Sequence, residues 1–190
     1  MKEKQSPDGS IVNSEYEKIE TKKQILSYLN KQKIKVITLN NFLQHQEFSV
    51  LKKKCQNNSF VVEFLPGEMN YEAKKNEFKE LGLSINNFIQ SLFDRKLSFK
   101  SSITKTKAGS YTILSDKPEK KKIKAFFYFK KEIPNIAGGY HVFAKEDSLI
   151  LYPEENSLTI FLADQSKDFI KYVDSRSDNK ENIFLELELK

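Results

Sequence analysis

A chain of 190 residues, 38% hydrophobic and 31% charged, has room for one large domain or two small ones. Its 15 Phe and 8 Tyr supply enough apolar surface to offset chain entropy, which excludes collagen-like, low-complexity and wholly disordered chains. A single cysteine excludes an internal disulfide, and the net charge of +6 is unevenly divided: residues 131–190 hold 7 Lys+Arg against 12 Asp+Glu, whereas residues 1–130 hold 25 against 14. Arg95 and Arg176 are the only arginines, so the basicity rests on lysine, a hydrated point charge without the planar fork that grips phosphate.

In chain order, residues 1–13 read as a disordered arm, polar and containing the turn sequence Ser6-Pro7-Asp8-Gly9, without the apolar stretch of a secretory signal. No apolar run approaches the roughly 20 residues that cross a bilayer, so a cytoplasmic location without membrane insertion is expected. The spacings Ser14-x-x-Glu17 and Thr21-x-x-Gln24 predict helix starts, and Ile25, Leu26, Tyr28 and Leu29 give a helix ending near Asn30. Runs at 34–39, 48–55 and 60–65, rich in β-branched and aromatic residues and separated by turn-prone clusters, predict three meander strands.

A helical insertion is predicted over 71–95. Its second half, behind a Ser84 cap, places Ile85, Phe88, Ile89, Leu92 and Phe93 on one apolar face. Strands follow at 97–106, 111–114 and 123–129, with a Pro- and Lys-rich linker at 117–122 before the last of them. Further strands are expected at 140–144, 148–152, 158–162 and 183–189, while 169–173 suits either helix or strand. Gly138-Gly139 reads as a turn, and neither dinucleotide nor P-loop glycine motifs occur. The pattern is predominantly antiparallel, that of an α+β or barrel protein.

Few residues suggest catalysis. Cys55 would need a base such as His45 or His141, and two isolated histidines do not make a metal-binding spacing. Glu186, Glu188 and Lys190 have an acid-x-Lys spacing used by some metal-dependent nucleases, which an alternating half-wet strand produces equally well. The aromatic run 126–129 flanked by lysines suits either stacking of nucleic-acid bases or a strand buried on both faces. No catalytic residue, metal or cofactor is expected on these grounds.

The element order, with Tyr128-Phe129-Lys130 and Asp164-Gln165-Ser166-Lys167-Asp168-Phe169, resembles PilZ-domain proteins of the flagellar-brake type. The resemblance implies a split-barrel domain over 14–118 and a degenerate PilZ-like β lobe over 119–190. It also implies a ligand site drawn from Lys120, Lys124, Lys130, Asp164 and Ser166. Ala125 and Phe126 stand where the family's arginine pair clamps cyclic di-GMP, and Phe169 stands where it has Gly. The resemblance therefore implies a non-enzymatic adaptor in motility or second-messenger signalling that works through a protein partner and binds cyclic di-GMP weakly. A basic nucleic-acid-binding module is the alternative.

Overall fold

The computed structural model describes residues 10–65, 68–73, 78–112, 122–163 and 166–190. Near the N-terminus, Asn13 caps the short helix α1 (Ser14–Glu17) by accepting from the Glu15 N–H, and α2 (Ile19–Lys31) buries Ile25 and Leu29. The run at 48–55, expected as a strand, is instead α3 (His45–Gln56). Phe48, Leu51 and Cys55 recur at helical spacing, with Lys52, Lys53 and Lys54 between them.

Residues expected to open the helical insertion form a hairpin strand. β3 (Glu68–Ala73) pairs with β2 (Phe60–Leu65), and α4 (Lys79–Phe93) starts only afterwards. Within β3, Glu68, Asn70 and Glu72 alternate with Met69, Tyr71 and Ala73, a period of two that pairing with β2 selects over a helix. Ser84 is no cap: α4 begins five residues earlier, and the Ser84 hydroxyl donates back to the Glu80 carbonyl. The predicted face is buried through Ile85, Phe88, Ile89 and Leu92.

The remaining strands are β1 (Val36–Leu39), β4 (Phe99–Thr106), β5 (Tyr111–Thr112), β6 (Lys122–Lys131), β7 (His141–Ala144), β8 (Ser148–Leu151), β9 (Ser157–Ala163), β10 (Lys167–Ile170) and β11 (Asn182–Leu189). Of the segment 169–173, expected as helix or strand, Phe169 and Ile170 end β10 and 171–173 are neither. Every described pairing is antiparallel. A large sheet runs β1-β9-β6-β11-β4-β3-β2, and a small one runs β10-β7-β8. β5 lies beside β10, where the Ile170 N–H donates to Thr112 Oγ1 at 2.5 Å.

The two sheets pack face to face in a jelly-roll-like sandwich. Phe126, Tyr128, Phe161 and Phe184 of the large sheet meet Phe143 and Ile170 of the small one. This is the barrel face. The opposite, helix face of the large sheet carries Ala125, Phe127, Phe129, Leu158, Ile160, Leu185 and Leu187 against Phe42, Phe48, Leu81, Ile85 and Ile89.

The split barrel is corrected by this sheet order. β1 and β2, expected as the outer strands of one three-stranded meander, lie at opposite edges of the large sheet. Between them stand β9, β6 and β11, drawn from the segment 119–190 that was expected as a separate lobe. Alternating apolar side chains bury both faces of β6 and so require it at the centre of the sheet, which no local meander can supply.

Two asparagines fasten loops to this frame. Asn156 grips Leu43 through both its side-chain oxygen and its nitrogen. Asn182 accepts from the Glu132 and Ile133 N–H groups and donates to the Gly139 carbonyl. Gly138 is required where it stands: its φ is +91°, and a Cβ there would lie 1.9 Å from the Tyr172 carbonyl oxygen. Among the described residues, no helix is long and apolar enough to cross a membrane.

Candidate active site on the barrel face

Register places charges among the rings of the barrel face. Cross-strand pairing sets Glu188 of β11 opposite Lys124 of β6, and Glu186 opposite Phe126. From the small sheet, Asp168 pairs with Phe143 and Ile170 with His141, so Asp168 enters the same space. Lys124 Nζ donates to Asp168 Oδ1 at 2.7 Å, with both side chains about 10% exposed. At the lip, Lys122 stands 3.6 Å from Glu188.

Glu186 is half-buried beside this pair. Burial pushes its carboxyl up to about 8; Lys124 pulls it down, and the negative charges of Asp168, Glu68 and Glu188 push it further up. At neutral pH it is therefore a carboxylic acid with a proton to donate. His141 is driven the other way: burial, then the positive charge of Lys124, lowers its imidazole to about 3. Its ring lies 4.3 Å from that of Phe126 and 5.4 Å from that of Phe184, and neither ring nitrogen has a hydrogen-bond partner among the described residues. Burial also raises the Tyr128 phenol, helped by Glu186 and Asp168. The result is a paired cation, a protonated acid and a neutral imidazole set among the packed rings between the two sheets, and such perturbed groups mark functional sites.

Of the residues implied by the PilZ resemblance, three are described, and Lys130 lies apart from the other two. Lys124 is between the two sheets, and Ser166 is buried just before β10. Lys130 lies six residues along β6, about 20 Å away, and its ammonium serves Glu132 and Glu181 at 3.1 Å each. Lys120 and Asp164 lie outside the described residues. Phe126 and Tyr128 face the barrel while Phe127 and Phe129 face the helices, so the aromatic run presents no rings for base stacking. Cys55 is buried on the helix side, and burial, then Glu181, raises its thiol to about 12, the reverse of what a nucleophile needs. Glu186 was visible in the sequence only as part of an acid-x-Lys pattern, and His141 only as a lone histidine. Their roles depend on register and burial.

No protein-family model matches the sequence, and no curated protein matches it either. Solved structures do resemble it. A prolyl-4-hydroxylase of Pseudomonas putida superposes with a TM-score of 0.68 at 12% identity, over 89% of this chain and 98% of its own. A prolyl hydroxylase of Trichoplax adhaerens, in complex with a hypoxia inducible factor peptide fragment, gives 0.65 at 13% identity, over 93% and 90%. HygX of Streptomyces hygroscopicus, with nickel, 2-oxoglutarate and hygromycin B bound, gives 0.63 at 7% identity, over 87% and 86%. At these identities the likeness establishes the fold, which is that of 2-oxoglutarate and Fe(II) oxygenases. The PilZ resemblance and the non-enzymatic signalling adaptor drawn from it are overturned by this likeness.

Non-haem Fe(II) oxygenases hold their metal with two histidines and one carboxylate. The chain has two histidines in all. His45 is exposed on α3, which packs Phe48 against Phe127 on the helix face, whereas His141 is buried against Phe126 on the barrel face. The large sheet separates them, so they cannot ligate one ion. Among the described residues no cluster of three His, Cys, Asp or Glu side chains could hold a metal. The donor set does not fit the iron centre.

Proposed function

We propose that the chain is an enzyme on the oxygenase scaffold whose barrel interior binds and polarises a small 2-oxo acid without iron. The observation that carries this reading is the buried Lys124, paired with Asp168 beside a protonated Glu186. Small barrels that hold one ligand do so in their interior. Solved relatives of the fold include a 2-oxoglutarate complex. In this reading the substrate carboxylate takes the place of Asp168 on Lys124. The Glu186 O–H then donates a hydrogen bond to the 2-oxo oxygen, its proton staying on the carboxyl, and the surrounding rings lower the local dielectric and strengthen both interactions.

Titration calorimetry of the whole chain with 2-oxoglutarate in the presence of EDTA tests it. The expected result is saturable binding that Lys124→Met weakens at least tenfold and that declines above about pH 8 as Glu186 loses its proton. Absence of binding, or binding that appears only on adding Fe(II) or Mn(II), overturns it.

A further inference from the structure

A second cavity, of about 340 Å³, opens at the end of the large sheet where β6 begins and β9 and β11 end. Its walls come from distant parts of the chain. Asp94, in the left-handed conformation at φ 47°, ends α4, and the chain then turns so that Arg95 and Leu97 line the opening. The Ser98 and Lys190 backbones exchange two hydrogen bonds of 3.0 Å, clamping this loop to the end of β11. The floor is apolar: Phe93, Leu97, Ile123, Leu162 and Leu189. The rim is cationic, formed by Lys35, Arg95, Lys122 and Lys190, and no acidic side chain lines the cavity.

We infer that this cavity binds an amphipathic monocarboxylate, its acid on the rim and its hydrocarbon on the floor. An apolar floor without cations would suit a neutral ligand, and a cationic rim without a floor would suit free phosphate. Their combination selects an anion with an apolar body. The volume lies at the small end of the range for ligand pockets, which suits a small ligand. Arg95 is the key group. It is one of two arginines, its guanidinium is paired with no carboxylate among the described residues, and its planar fork suits a carboxylate better than any lysine of the rim. Ile123 and Leu189 belong to the helix-face core, whereas Ala163 belongs to the barrel-face core and Lys122 stands 3.6 Å from Glu188, so the cavity opens at the sheet end beside the group around Lys124, which does not line it.

The test is an NMR titration of the whole chain with octanoate, 1-octanol and inorganic phosphate. Octanoate should give saturable shifts of the Leu162, Ala163 and Leu189 amides and bind at least tenfold more tightly than either control. Arg95→Met, a change at an exposed position, should weaken octanoate about tenfold. Lys124→Met should leave octanoate binding unchanged, which separates this site from the group between the two sheets. Equal binding of 1-octanol or phosphate, an undiminished affinity in Arg95→Met, or no saturable shift overturns the inference.

Discussion

Strand β6 presents Ala125, Phe127 and Phe129 to the helices, and Lys124, Phe126 and Tyr128 to the small sheet. On the helix side the neighbours are apolar, and burial is rewarded at about 25 cal/mol for each Å² removed from water. On the barrel side the same strand meets Asp168, Glu186 and His141, whose burial costs free energy unless each is paired or neutralised. Pairing handles Lys124 and Asp168, and altered protonation handles Glu186 and His141. The two faces differ by one residue of register, yet one is built for stability and the other holds chemistry at a cost in stability.

Substitutions on the two faces should therefore behave differently. Phe127→Ala, on the helix face, removes a ring that contacts Phe42, Phe48 and Phe129. It should cost about 3–5 kcal/mol in urea unfolding, with little dependence on pH. An effect that varied strongly with pH would erase the contrast between the faces.

Asp168→Ala, on the barrel face, strands the ammonium of Lys124 and should cost about 3 kcal/mol, whereas the double variant Lys124→Met with Asp168→Leu should recover most of the loss. A double variant no better than the single one would show that the charges are not the source of the cost.

Glu186→Gln sharpens the comparison through pH. The folded-state pKa of Glu186 is raised from the usual carboxylate range to about 8, so the native state holds a proton that the unfolded chain has released. The stabilising contribution is full below the unfolded value and is lost as pH rises towards 8, at a rate on the order of 1 kcal/mol per pH unit. The variant should flatten this decline and be the more stable protein at pH 8. Parallel stability curves for the two proteins between pH 5 and pH 8 would refute the assignment.

The smallest effect is expected at His141. Its folded-state pKa is depressed to about 3, so the native state loses stability as pH falls below the usual imidazole range. His141→Phe should be near neutral at pH 7, because neither ring nitrogen has a described partner to lose, and it should be stabilising by about 1 kcal/mol at pH 5. Thermal melts at the two pH values measure it, and destabilisation at pH 5 would contradict it.

What could be read from the residues alone was local. Apolar alternation located β2, β4, β6 to β9 and β11 to within a few residues, and the 3.6-residue period located the buried face of α4. Where a short run allowed two periods, as at Phe48, Leu51 and Cys55, the contact that decides is with Phe127, nearly eighty positions away. Sheet order was beyond local reading for the same reason: β1 joins β9, and β11 inserts between β4 and β6, through pairings across most of the chain. The site followed the sheet. Lys124 stood out in the sequence only through a resemblance to proteins of another fold. Its partner Asp168 and the proton on Glu186 exist because two sheets close over them and exclude water. A side chain's identity is written in the sequence, but its charge state belongs to the surroundings that folding builds around it.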